Sequence, residues 1–487
     1  MNGPDAGLPL HELRDAMSRR AWLSTSGLAL AALALDRGEL RAQDPAKAIA
    51  QDPARGLHHQ PRCKRVIWLF QAGGPSQFET LDDKPKLREL HGQPLPDSVR
   101  GGQRLTGMSG NQAVLKVAGS FASFARHGDS GIAISSLLPH TAKIADRICV
   151  LRAVHTEAIN HDPAITFLCS GSQIAGRPSL GSWLSYGLGA ENRDLPAFVV
   201  LVSKDSSRDQ PLYSRLWSAG FLPSEHQGVP FRAGKDAVLF LGDPVGVARA
   251  DRRTMLDALA RMGDDSVRRY GDPEIVARVQ QAELAFRMQT SVPEATDLRG
   301  ESDATFARYG EGARDPGTYA ANCLLARRLV ERGVRFVQLF HQGWDQHSGM
   351  RGGIARQCAQ TDQASAGLVM DLAERGLLDD TLVVFGGEFG RTSYCQGRMT
   401  NDDYGRDHHP RCFSMWMAGG GVRQGHVHGE TDEFGYNVNS GGVHVHDVHA
   451  TILHLLGVDH ERQTFLHQGR RYRLTDVFGK VERGILA

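Results

Sequence analysis

The sequence predicts an α/β fold, with a parallel or mostly parallel sheet and helices on both faces. Two observations carry this reading. Six short apolar runs, several free of polar residues, have the character of buried strands. Segments with helical spacing alternate with them, and strands separated by helices pair in parallel. A chain of 487 residues, 41% hydrophobic and 23% charged, has ample apolar surface for a large core.

The elements follow in order. Residues 66–70 (VIWLF) form the first strand, which breaks into Gln71-Ala72-Gly73-Gly74-Pro75. Residues 80–130 carry few periodic signals. Residues 148–154 are the second strand, and a helix from Pro163 ends before Gly171, with Pro at its start and Gly past its end. Residues 197–202 (AFVVLV) are the third strand. The stretch 250–335 reads as mainly helical, and 334–340 as the fourth strand. A helix over 363–374 leads to the fifth strand at 381–385. The sixth spans 414–418 and closes on three glycines, and 446–456 is a final core helix ending at Gly457.

Ahead of this domain, residues 1–42 resemble a twin-arginine (Tat) export signal. Arg19-Arg20 precedes a weakly apolar run that ends at Leu35, too short to span a membrane comfortably. The alternative is an ordinary amphipathic helix with an arginine pair. Cleavage after Ala34 or Ala42 fits equally. Residues 43–61 read as a linker, and 62–487 as the folded domain. Export predicts a periplasmic or secreted protein, the Tat machinery as a partner, and no membrane span after cleavage. The net charge of +1 gives no reason to expect nucleic acid. Seven widely spaced cysteines without a CxxC exclude a zinc knuckle, and most read as small buried hydrophobes.

Polar groups cluster at the expected strand ends, where open α/β sheets place their sites. His161 and Asp162 follow the second strand. Asp345 and His347 follow the fourth, Glu388 and Arg391 the fifth, and Asp407-His408-His409 lie soon after. Twelve of the 21 histidines fall between His341 and His467, which makes this half the place to seek a metal. His426, His428, His454, His460 and His467 are assigned to the surface or the core. Histidine with carboxylate suits zinc, iron or manganese, and calcium enters if oxygen ligands dominate. Asp345 and His347, two apart in one loop, can share an ion. His408 and His409 are adjacent and point differently, so one of them joins. A GxSxG elbow, a GxxxxGK[ST] loop and HExxH are all absent.

Several segments together resemble one family. LFQAGGPSQFETLDDKP, GWDQHS, GGEFGRT and GRDHHP, behind a Tat-like leader, are similar to domain of unknown function 1501, a sulfatase-like branch of the alkaline-phosphatase-like superfamily. The segment 376–385 is similar to the one before that superfamily's Ser/Thr-Asp-His-Gly motif, and 447–457 to its closing helix. The resemblance implies a three-layer α/β/α sandwich and a metal-dependent hydrolase of sulfate or phosphate esters. The substrate implied is a small-molecule or polysaccharide anionic ester. It also exposes departures. Gln71 stands where the superfamily has an aspartate ligand. His161 stands at the nucleophile position, and Glu388-Phe389 replace Asp-His, which alters one half of a two-metal site. Asp345, His347 and His408 or His409 match the more intact half.

The roles that follow are His161 as acid, base or nucleophile, Glu388 as ligand or base, and Arg391 as an anion clamp. Two other readings stand beside the hydrolase. One is a non-catalytic envelope protein that binds through the same fold. The other is a metalloenzyme of another class.

Overall fold

The computed structural model describes residues 54–487, apart from 207, 208, 235, 240, 245, 401 and 402. The leader expected over 1–42 lies outside the described residues.

The strands that matter for the site are β1 (Arg65–Ala72), β2 (Ile148–His155), β3 (Phe198–Val202), β4 (Val229–Phe231), β5 (Phe336–Gln342), β6 (Thr381–Gly386), β7 (Gly390–Cys395), β8 (Arg406–His409), β9 (Phe413–Ala418), β10 (His426–His428) and β11 (Val443–His444). Nine of them form one sheet in the order β10-β2-β9-β6-β1-β5-β3-β4, with β11 also beside β2. β1 pairs in parallel with both β5 and β6, so it is central. Only β9 runs against its neighbours β2 and β6. The sixth strand expected from sequence is therefore present but reversed. β7 and β8 stand apart as an antiparallel ribbon, and they bring the chain back to β9 from the far rim.

The principal helices are α1 (His161–Ser170), α2 (Leu180–Leu188), α3 (Arg249–Tyr270), α4 (Pro273–Thr296), α5 (Tyr319–Glu331), α6 (Met350–Glu374) and α7 (Val445–Leu455). Alternation along the strands explains why the sheet needs cover on both sides. Ile67 and Leu69 of β1 join one core, with Leu324 and Leu329 of α5 and Leu368 of α6. Val66, Trp68 and Phe70 join the other, with Leu168 of α1, Leu184 of α2 and Leu453 of α7. The result is a three-layer α/β/α sandwich. Within the first core, Phe385 and Trp416 stack at 5.1 Å across β6 and β9, a contact worth roughly 1 kcal/mol beyond burial.

Helix α6 begins at Met350, thirteen residues before the predicted start at 363. Its first turns carry Gly352 and Gly353, poor helix formers that masked them in sequence, yet Ile354 and Cys358 are buried and hold them down. Residues 54–61 run against the domain. The Gly56 N–H donates to the Gly187 carbonyl and the His58 N–H to the Gly457 carbonyl, both at 2.8 Å. All seven cysteines are buried free thiols.

Candidate metal centre

Four side chains meet at the carboxyl rim of the central strands. His161, Asp345, His347 and His408 each offer a ligand atom within 4.8 Å of the others. Each arrives by a different route. His161 is the first residue of α1 and follows Asn160 in extended conformation. Asp345 and His347 lie in the loop after β5, and His408 lies on β8.

Asp345 is the hub. Its Oδ1 lies 2.8 Å from His347 Nε2 and 3.4 Å from His408 Nε2, and its Oδ2 lies 3.1 Å from His161 Nε2. Behind each ring, the other nitrogen is held. His161 Nδ1 is 2.6 Å from Glu388 Oε1, and His408 Nδ1 is 2.8 Å from the Ile159 carbonyl. His347 Nδ1 meets Gln396 Oε1. A backbone carbonyl only accepts, so His408 Nδ1 must carry the proton. A neutral His408 then turns a bare Nε2 lone pair toward a carboxylate oxygen. That arrangement is repulsive unless a cation lies between them. His161 Nε2 is also buried with no well-directed hydrogen bond, despite its closeness to Asp345. Histidines anchored through Nδ1 to carboxylate or carbonyl, with Nε2 converging, are the usual supporting arrangement of a metal site. Three nitrogens and one carboxylate fit zinc, iron or manganese better than calcium.

The charges agree. Burial opposes ionisation of Asp345, but the surrounding rings of His161, His347 and His408 and the Arg391 charge hold its carboxyl well below the usual range. Burial also opposes the charged form of His161, yet Asp345 and Glu388 outweigh it and raise the ring to about 9. A proton there does part of what a metal would do. Burial lowers His408 to about 4, so it is neutral near pH 7.

The remaining residues singled out in sequence fall outside this cluster. His409 does not face the ion position. On β8 it sits opposite Gly390, and its Nε2 donates to the Tyr436 carbonyl at 2.8 Å. His408 sits opposite Arg391, and cross-strand partners share a face, so these two converge on Asp345. Glu388 stands behind His161, outside the four-residue cluster. Its carboxylate also accepts the Gly73 N–H at 2.9 Å. Gly73 has φ 118°, and a Cβ there would come within 2.7 Å of the Trp344 nitrogen, so only glycine allows this approach. Arg391 is not an open anion clamp. It is fully buried and spends its guanidinium on Asp345 at 2.5 Å and on the Gly73, Gly74 and Arg406 carbonyls.

The half of the site altered in sequence is filled. Gln71 turns into the protein, where Trp344 Nε1 donates to its Oε1 at 3.0 Å and its Nε2 donates to the Tyr319 hydroxyl. Phe389 is fully buried and packs 4.9 Å from the His161 ring and 4.5 Å from the His408 ring. It forms an apolar wall against both rings. Sequence reading missed Gln396, the Ile159 carbonyl and the wall role of Phe389. An acceptor that holds a ring from behind has no spacing signature.

Residues 63–486 match the family described as "Protein of unknown function (DUF1501)". The chain belongs to this family. No protein with a curated description matches this DUF1501 chain. Among solved structures it is similar to the PsFucS1 sulfatase from a Pseudoalteromonas species, at 13% identity and a TM-score of 0.36, over 92% of this chain and 76% of that one. It is similar to the lipoteichoic acid synthase LtaP from Listeria monocytogenes, at 10% identity and a TM-score of 0.33, over 88% and 80%. It is also similar to an alkaline phosphatase from the Antarctic bacterium TAB5, at 11% identity and a TM-score of 0.33, over 81% and 98%.

Proposed function

We propose that this DUF1501 protein is a single-metal hydrolase of sulfate or phosphate esters, in which His161 is a metal ligand and no side chain serves as nucleophile. The observation that carries this reading is the convergence of three Nε2 atoms on Asp345, with each Nδ1 held from behind. His161, Asp345, His347 and His408 would hold the ion. Such an ion, when bound, supplies Lewis-acid activation of an ester oxygen and of water.

The chain's own residues prepare the place. Glu388 keeps the His161 proton on Nδ1, which leaves Nε2 free to face the ion. Arg391 balances the Asp345 charge from the protein side and fixes its orientation. Phe389 closes the far wall to water. The rim stays open, because the Asp345 and His347 side chains keep 21% and 28% of their surface exposed. His161 has both ring nitrogens committed, which disfavours its use as a covalent nucleophile. The Arg19-Arg20 leader supports Tat export to the periplasm or beyond, with a small-molecule or polysaccharide anionic ester as substrate. Among the described residues no helix is long and apolar enough to cross a membrane.

One observation favours the rival, a non-catalytic envelope protein: among the described residues the only arginine paired with Asp345, Arg391, is buried and spent. The two separate cleanly. Zinc-, manganese- or iron-loaded protein is assayed on aryl sulfates, phosphomonoesters and phosphodiesters. The hydrolase reading expects turnover that ends on chelation and in His347→Ala. No turnover of any ester with any of the three metals would sink it.

A further inference from the structure

Helix α3 is held along one side by α4. Leu256 and Gly263 are its two buried residues, and a Cβ added at Gly263 would come within 2.8 Å of Val279, which marks the line of contact. Beside that line, Arg253 donates to Glu283 and Arg249 to Gln289, both at 2.8 Å.

Another side of the same helix is apolar and bare. Met255, Leu259 and Met262 are 57%, 41% and 67% exposed. Steps of four and then three residues put them on one stripe, and a further step of four reaches Ser266. At 3.6 residues per turn the stripe lies roughly a quarter-turn from the Leu256–Gly263 line, so α4 does not cover it. Single exposed apolar side chains are ordinary on a protein surface; a row of them on one helix is not. With Tyr270, this helix of 22 residues holds four of the fourteen large apolar side chains that are exposed among the described residues.

We infer that the stripe is the contact face of a symmetric dimer, in which α3 of one copy lies antiparallel on α3 of a second copy. The spacing of four, three and four is the seam by which one helix receives another. A two-fold pair uses the same patch twice, so the patch must match itself. Its borders do. Asp251 and Arg252 flank the N-terminal end, and Asp265 and Arg269 the C-terminal end. In an antiparallel pair each end meets the opposite end of the other copy, and an acid and a base come from each side. A parallel pair would set Asp251 against Asp251 and Arg269 against Arg269, and it would align the helix dipoles unfavourably. A helix of 22 residues is about 33 Å long, which gives an interface at the small end of the specific range and a reversible dimer. Nothing in this inference depends on the metal.

Sedimentation equilibrium of the full chain tests it. The wild type is expected to dimerise with a Kd of roughly 10 µM, as suits a small interface. Leu259→Glu/Met262→Glu should be monomeric up to about 200 µM, some twentyfold above that Kd. Both positions are exposed, so its melting temperature should hold. Asp251→Arg/Asp265→Arg makes all four border charges positive and should weaken the dimer by about tenfold, the scale of a few exposed ion pairs. Adding Arg252→Asp/Arg269→Asp should restore it. A wild type that stays monomeric at about 200 µM overturns the inference, whatever else then covers the stripe. A dimer that survives Leu259→Glu/Met262→Glu overturns it too, and one indifferent to Asp251→Arg/Asp265→Arg overturns the antiparallel arrangement.

Discussion

At the scale of single residues, the decisive features are a tautomer and a strand phase. His408 and His409 are indistinguishable in GRDHHP, because adjacency on a strand says only that they face opposite ways. Pairing of His408 with Arg391 and of His409 with Gly390 chooses between them. Asp345 and His347 were legible from their place after β5. His161 was legible at the end of the second strand and, by resemblance, at a nucleophile position, but that its ring is held by Glu388 required the structure. Two outcomes follow. Glu388→Ala should weaken metal binding by roughly 10- to 100-fold, the usual cost of losing the group behind a ligating histidine, as measured by competition with a chelating dye. The second concerns pH. In metal-free protein His161 titrates at about 9, above the ordinary 6.5. Its charged form therefore stabilises the metal-free fold fully below 6.5, and that contribution fades as pH rises through 9. Metal must displace this proton. Calorimetry at pH 7.5 in two buffers of different ionisation enthalpy should show release of about one proton, shrinking toward zero above pH 9. Equal heats in both buffers at pH 7.5 would count against it.

At the scale of elements, the β7–β8 ribbon is what sequence did not reveal. Its strands are short and polar, GRTSYC and RDHH, and lack any apolar alternation, yet both are wholly buried. Buried charge, not hydrophobic pattern, holds it. Arg406 and Glu79 form an ion pair at 2.7 Å with neither side chain exposed, and Tyr404 donates to Glu79 at 3.0 Å. Asp407 accepts from Thr106 and Ser109 in the stretch that showed few signals in sequence. The ribbon carries His408 and Arg391, so this pair positions the site at a distance. Glu79→Ala strands a buried guanidinium and should cost about 3–5 kcal/mol in urea unfolding. A loss below 1 kcal/mol would show that the ribbon is held otherwise. The main-sheet strands, by contrast, were legible because continuous apolar runs buried on both faces leave little choice. What sequence could not supply was direction: β9 has the same character as its parallel neighbours, and it runs backward because the ribbon returns the chain to the rim.

At the scale of the molecule, a sandwich with two cores presents one rim on which loops from β1, β2, β5 and β6 meet. The fold brings together residues from 73 to 408 and makes the site a property of the whole domain. With Phe389 buried against His161 and His408 and Gln71 turned inward, the proposed single ion would join those loops. Binding to the folded state alone stabilises it by mass action, about 4 kcal/mol at a thousandfold excess over Kd, so chelation should lower Tm by several degrees. The central claim is that His161, Asp345, His347 and His408 hold that ion, and elemental analysis of the purified chain tests it most directly. The account predicts about one zinc, manganese or iron per wild-type chain, retained in His409→Gln and lost in Asp345→Ala and His408→Ala. A wild type that takes up none of the three on reconstitution, or an Asp345→Ala protein that keeps a full complement, would contradict it.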